Sequence, residues 1–250
     1  MAASQPQVWL LPPDKLPLAR DEVHVWRAAL DMPKARVEAF EQTLTPDEQQ
    51  RAARFHFPHL RQRFISGRGI LRAILGRYLD LAPQQIHFGY TSYGKPFVEL
   101  EGNAAPLHFN VTHAGGMALY AVARARLVGI DIEEQCQARD AAGIAERFFS
   151  PLEYHTLLAL PSAERPLAFL RCWTRKEAYI KAHGLGLSLP LDQFSVTLAP
   201  SEVARLLRTD HDPAAVNHWA LRELTPHPDY IAAMAVEGYG WQLACWQWPG

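Results

Sequence analysis

The sequence contains only three cysteines, Cys136, Cys172 and Cys245, odd in number and widely spaced. They offer neither a disulfide framework nor a paired zinc motif, and they read as small core side chains of a reducing compartment. Long apolar runs are missing as well. The longest, residues 117–123 and 230–236, fall far short of the roughly 20 residues that a membrane-spanning helix needs. Residues 1–13 lack a basic start followed by an apolar stretch and are broken by prolines, so no secretory signal is expected and the location should be cytoplasmic. Neither sign of charge is in excess: 25 Lys and Arg against 26 Asp and Glu leave a formal net charge of −1, which removes the footprint of a non-specific nucleic-acid binder. An anionic ligand would have to be held by local groups. A Walker A loop, a Gly-x-Gly-x-x-Gly turn and a His-Glu-x-x-His pair are also absent, so P-loop, dinucleotide and zincin chemistry lack their mechanical parts.

What is present is a 250-residue chain of 48% hydrophobic and 20% charged residues, enough to bury a real core in one large domain or two small ones. A strand is expected over 22–26 and helical spacing runs through 32–44. Thr45-Pro46-Asp47-Glu48 combines a hydroxyl cap, a proline at the first helical position and an acid three residues after the cap, so a helix should begin there. A longer helix follows over about 60–79, with Phe64, Leu71, Leu75 and Leu79 on one face and Arg63, Arg68, Arg72 and Arg77 spread around the others. The period then changes to two at Ile86, Phe88 and Tyr90, resumes after Gly94-Lys95-Pro96, and continues at Leu107, Phe109 and Val111, where a meander of strands is expected. Ser150-Pro151-Leu152-Glu153 repeats the capping pattern ahead of a helix over 165–183, and alternating Phe194, Val196 and Leu198 follow a glycine-containing loop. The two halves rhyme, as an internal duplication would. Two or three further strands are expected between 220 and 248.

Chemistry concentrates in three places. Asp131 and Glu133, two apart in Gly129-Ile130-Asp131-Ile132-Glu133, would project to one face of a strand while Ile130 and Ile132 enter the core. Alone, such a pair is an ordinary solvated strand face. A hard divalent ion, magnesium above all, would explain why two mutually repelling anions share one spot. The helix around Trp173 supplies Glu177 and Lys181 one turn apart, either a plain surface pair or a third metal carboxylate beside a cation for phosphate, with Phe169, Trp173 and Ile180 forming its buried stripe. Thr112 and His113 precede Gly115-Gly116 at a strand end, where a phosphate-contacting loop would fit. Lys95, Arg51 and Arg54 are further candidate anion contacts, though each alone is an ordinary solvated charge. His56 and His59 lack further ligands for zinc and read as surface or packing residues.

Phe-Asn-Val-Thr-His-x-Gly at 109–115, Gly-Ile-Asp-Ile-Glu at 129–133, Arg-Phe-Phe-Ser-x-x-Glu at 147–153 and Trp-x-x-Lys-Glu-x-x-x-Lys at 173–181 resemble the 4′-phosphopantetheinyl transferases, over about residues 45–198. Length and duplication resemble the surfactin-synthetase-activating type rather than the short trimeric synthases. The resemblance implies transfer of the phosphopantetheine arm of coenzyme A to a serine of an apo acyl or peptidyl carrier protein, with release of adenosine 3′,5′-bisphosphate. By position, Asp131, Glu133 and Glu177 would hold Mg²⁺ on the pyrophosphate and Lys181 would contact it and stabilise the leaving group. Thr112 and His113 would bind near the 3′-phosphate, Lys95 and Arg51 would be other coenzyme contacts, and Glu177 would take the proton of the serine. Lys176 and Glu153 also match family positions; Glu153 is explained as the acid of a capping box, and both stay outside the catalytic set. Thr112 stands where many relatives carry serine, and Tyr90 where some carry a basic residue.

The expected fold is α+β, two similar lobes each packing helices on a small, mainly antiparallel sheet, with coenzyme and magnesium in the cleft between them. Residues 1–125 would form the coenzyme-contacting lobe and 126–250 the magnesium-binding, catalytic lobe, the last segment packing back on the first. Covalent duplication makes the chain a pseudo-dimer, hence a monomer. The competing readings are a metal-dependent hydrolase of nucleotide pyrophosphates and a non-catalytic coenzyme- or carrier-binding module.

Overall fold

The computed structural model describes residues 7–100, 106–137 and 141–250. Its elements fall into two successive runs of the same order. The first run is β1 (Glu22–Ala29), α1 (Lys34–Glu41), α2 (Pro46–Ala53), α3 (Pro58–Leu79), the hairpin β2 (Phe88–Tyr90) and β3 (Pro96–Val98), then β4 (Leu107–Ala114) and β5 (Met117–Arg124). The second is β6 (Val128–Glu134), α4 (Ala141–Phe148), α5 (Pro151–Ala159), α6 (Arg165–His183), the hairpin β7 (Phe194–Val196) and β8 (Leu206–Thr209), then β9 (Trp219–Leu224) and β10 (Tyr230–Glu237). Sheet order repeats too, β1-β5-β4 in one lobe and β6-β10-β9 in the other, all antiparallel. The last strand, β11 (Gln242–Gln247), leaves its own half and pairs in parallel with β1.

Each lobe is a long helix on one face of its sheet, and the two sheets meet at their other faces. Trp26, Ala28, Tyr120 and Val122 turn towards α3, and their strand neighbours Val25, Leu119 and Ala121 turn towards Ile130, Ile132, Met234 and Val236 of the second sheet. With both faces buried, the strands read as near-continuous apolar runs, which is why 117–123 and 230–236 stand out in the sequence. On the far side, Ala233 and Ala235 pack with Ala178, Tyr179 and Ala182 of α6. Gly129 sets how closely α6 approaches: a β-carbon there would lie 2.1 Å from the Ala178 carbonyl oxygen and 2.3 Å from the Ala182 nitrogen, so only glycine allows this contact. The helix and strand thereby meet at the residues expected to carry the chemistry.

Both capping boxes form, and both do more than cap. Glu153 accepts from the Ser150 and Val196 amides and is ion-paired with Lys176 at 2.8 Å, both side chains being almost wholly buried. Lys176 Nζ also donates to the Leu191 and Phe194 carbonyls, at 2.7 Å each. In the first lobe Glu48 pairs with Arg72 at 2.7 Å, and Arg72 donates to the Pro83 and Ile86 carbonyls. The same device, an acid from the capped helix (α2 or α5) locked to a buried cation from the long helix (α3 or α6) that binds carbonyls at or just before the hairpin, thus occurs twice. Glu153 therefore does more than cap, and Arg72, one of four arginines read as spread around the other faces of its helix, belongs to the buried framework. Short β8 and α4 add to the expected elements.

A candidate active site on the second sheet

β4 lies against β6 where the lobes meet. Its even-numbered side chains face β6: Asn110 Oδ1 accepts from the Ile130 amide at 2.9 Å, and Thr112 Oγ1 donates to Asp131 Oδ1 at 3.1 Å. This fixes the register between the Phe-Asn-Val-Thr-His motif and the Gly-Ile-Asp-Ile-Glu motif. From α6, Lys181 Nζ reaches the same Asp131 oxygen at 2.5 Å and Thr112 Oγ1 at 3.4 Å. Asp131, only 3% exposed, keeps its other oxygen, Oδ2, buried without a hydrogen-bond partner.

Burial dominates the electrostatics here. It pushes the Asp131 carboxyl up, against the opposing pull of Lys181 and Thr112. Glu133 is raised to about 7, by burial first and by the Asp131 charge second, with Lys181 and a hydrogen bond from the Trp173 indole opposing and Glu177 adding to the repulsion. Glu177 is raised by burial and by Asp131, against Lys181. The three acids from two elements are thus mutual electrostatic neighbours around one lysine. As placed, no three His, Cys, Asp or Glu side chains among the described residues form a closed set of metal ligands. The donor set fits a hard cation nonetheless: an orphaned carboxylate oxygen at the centre and excess negative charge are what such an ion would relieve. Trp173 was expected in the buried stripe of α6. It is half-buried on the Glu177 and Lys181 side, as its spacing of four and eight residues from them requires.

Odd-numbered side chains of β4 face the other way. Val111 and His113 line a groove of about 450 Å³ together with Arg51, Arg63, Arg68 and the apolar Phe55 and Phe64. Thr112 and His113, expected to act together, therefore face different spaces, Thr112 the acidic cluster and His113 the basic groove. His113 is lowered by burial and by the Lys181 and Arg63 charges, so Lys181 lies within electrostatic reach of both spaces. Arg51 sits over the Phe64 ring, 5.4 Å from its centroid. Arg63 and Arg68 were not singled out in the sequence. Only the helical arc they share with Phe64 and Leu71 could have marked them. Gly115-Gly116 forms the expected turn, Gly115 exposed at φ 51°, with the Glu134 and Tyr230 side chains beside Gly115 and those of Asp31 and Arg63 beside Gly116.

Lys95 departs from expectation: it does not line the groove. Its ammonium donates to the Ala182 carbonyl at 2.8 Å and the Val128 carbonyl at 3.3 Å, at the C-terminal end of α6.

Two family models match the chain: one described as the 4′-phosphopantetheinyl transferase superfamily, over residues 127–235, and one described as 4′-phosphopantetheinyl transferase, N-terminal, over residues 32–125. Among curated proteins, the 4′-phosphopantetheinyl transferase HetI of Nostoc sp. is 43% identical, over 96% of this chain and 98% of its own length. The putative 4′-phosphopantetheinyl transferase slr0495 of Synechocystis sp. is 32% identical, over 87% and 78%. The 4′-phosphopantetheinyl transferase Sfp of Bacillus subtilis is 31% identical, over 81% and 91%.

Proposed function

The chain belongs to the 4′-phosphopantetheinyl transferase superfamily and is an enzyme that transfers phosphopantetheine to carrier proteins, and from that premise we propose how its groove and acidic cluster divide the work. The groove holds the anionic end of coenzyme A through Arg51, Arg63, Arg68 and His113, over the apolar floor of Phe55 and Phe64. The acidic cluster next to it receives the pyrophosphate. Asp131, Glu133 and Glu177 would hold Mg²⁺ there, and the ion would supply neutralisation of the charge that develops on the leaving phosphate. Thr112 orients Asp131. Lys181 turns from Asp131 to the phosphate as the pyrophosphate arrives, and it stabilises the leaving adenosine 3′,5′-bisphosphate.

Glu177 takes the proton of the acceptor serine as its oxygen attacks the phosphorus that bears pantetheine. One phosphorus–oxygen bond forms to serine, the pyrophosphate bond breaks, and its electrons leave on the bisphosphate. A single chain suffices, since both lobes that frame the site are covalently joined. The working units are residues 1–125 for coenzyme contacts and 126–250 for the acids. No helix among the described residues is long and apolar enough to cross a membrane, which accords with a cytoplasmic enzyme.

The observation that carries this division is the alternation of β4, which turns Thr112 to the acids and His113 to the basic groove. Incubation with coenzyme A, Mg²⁺ and an apo carrier should add one phosphopantetheinyl mass to the carrier, and Arg51→Ala with Arg63→Ala should raise the KM for coenzyme A with little loss of kcat. Release of free phosphopantetheine without any carrier would instead mark a hydrolase.

A further inference from the structure

The last turn of a helix leaves four carbonyls without partners in the helix, and the two long helices satisfy theirs differently. In the first lobe, Arg124 at the end of β5 donates to the Tyr78 carbonyl of α3 at 3.1 Å, within the same lobe. The corresponding end residue of β10 is Glu237, whose carboxylate cannot donate to a carbonyl; it accepts from the Leu127 amide at 3.0 Å instead. The vacant role is taken by Lys95 of the other lobe, which spans to Ala182 and Val128. The contact is built on both sides. Thr91 receives both ends of the tight β2–β3 turn, its amide donating to the Lys95 carbonyl at 2.9 Å and its Oγ1 accepting from the Lys95 amide at 3.1 Å. Gly184 closes α6 at φ 72°, and a β-carbon there would lie 2.8 Å from Lys95 Cδ, so the lysine stem fills the space that a side chain would need.

We infer that Lys95 is a positioning residue of the transfer reaction, an inter-lobe cap on α6 that holds Glu177 and Lys181 in register with Asp131. This rests on the transferase reading above. Ala182, the residue capped, directly follows Lys181, and Val128 opens the strand that carries Asp131, so one ammonium ties the two elements whose offset sets the Lys181–Asp131 contact. Burial lowers the Lys95 ammonium to about 8, the mark of a cation drawn out of water by its backbone partners. A cation at this end also complements the helix dipole.

Three measurements on the full chain test it: amide exchange of residues 180–186, the Kd for coenzyme A, and kcat with a carrier. Lys95→Met should raise exchange in that turn about tenfold, lower kcat about tenfold through the displaced pair, and leave the Kd for coenzyme A within about twofold. Lys95→Arg should keep exchange and kcat near the wild-type values, since Arg124 does the same work in the other lobe. Lys95→Gln, which keeps donors without the charge, should fall between and serves if the Met variant fails to fold. Unchanged exchange in Lys95→Met or Lys95→Gln overturns the inference, as does a raised Kd with kcat intact, which would make Lys95 a coenzyme contact. A wild-type chain without transfer activity would sink the transferase reading alone, because the exchange measurement still reports on the cap.

Discussion

On the helix-facing side of its first strand, the N-terminal lobe carries Trp26 and Ala28, both fully buried. At the corresponding places of β6, set by the pairing of Trp26 with Tyr120 and of Asp131 with Ala233, the C-terminal lobe carries Asp131 and Glu133. The cation over this spot repeats as well. Arg77 of α3 stacks over the Trp26 ring, 5.6 Å from its centroid, and Lys181 of α6 reaches Asp131. One scaffold thus holds an aromatic contact in one lobe and an acidic cluster in the other, while the buried acid–cation lock is kept in both. The first lobe fills the position with packed aromatic surface, and the second places acids there, which the proposed function assigns to metal binding.

Exchanging the uses of this position should separate the lobes most clearly. Asp131→Asn should cut transfer on the order of a hundred- to a thousandfold, as loss of a charge-stabilising group does, with the urea midpoint unchanged or raised because a buried charge is removed. Trp26→Ala should do the reverse, costing about 3–5 kcal/mol of stability while the folded fraction keeps its kcat. Next come the locks. Lys176→Met leaves the buried Glu153 carboxylate without its cation and should cost about 3–5 kcal/mol. Arg72→Met should cost less, since Glu48 retains Arg68; equal losses in denaturant titrations would refute that ordering. Among the caps, Ser150 is buried and also accepts from Ser195 Oγ at 2.8 Å, whereas Thr45 is only half-buried and its hydroxyl donates to Asp47. Ser150→Ala should therefore approach 2 kcal/mol and Thr45→Ala about 0.5 kcal/mol, the two ends of the range for such caps.

The pH dependence of stability should differ in the same way. Glu133 is raised from 4.5 to about 7, so the folded metal-free chain binds its proton more tightly than the unfolded one. That contribution is fully present below the unfolded value and is lost as pH rises through about 7. In chelator, the urea midpoint should fall over this window, and Glu133→Gln should flatten the fall. Ala28, its counterpart, has nothing to titrate.

Elements were legible wherever local signals were strong. The proline-containing capping boxes located α2 and α5, and the long helix over 165–183 matches α6 residue for residue. The pairing of Asp131 with Glu133 on one face followed from strand alternation alone. What the sequence hid depends on contacts far apart in the chain. Lys95 looks like a free cation in a glycine-proline turn until α6 comes to rest against it. Arg63 and Arg68 look like any charges on a helix until β4 closes the groove. Lys176 is a charge in a charged helix, and only the carbonyls of Leu191 and Phe194 make it a core residue. The last segment reads as packing back on the first lobe, but which strand β11 joins is not legible, because a parallel pairing with β1 has no local turn to announce it.

The proposed transfer requires that Asp131, Glu133 and Glu177 share one divalent ion. Titration of Mn²⁺ into the chain with coenzyme A present, followed by electron paramagnetic resonance, tests this without any turnover. One bound ion per chain is predicted, with binding lost in Asp131→Asn and weakened at least tenfold in Glu133→Gln and Glu177→Gln by the removal of a ligand charge. Undiminished binding in a chain lacking all three carboxylates would contradict it.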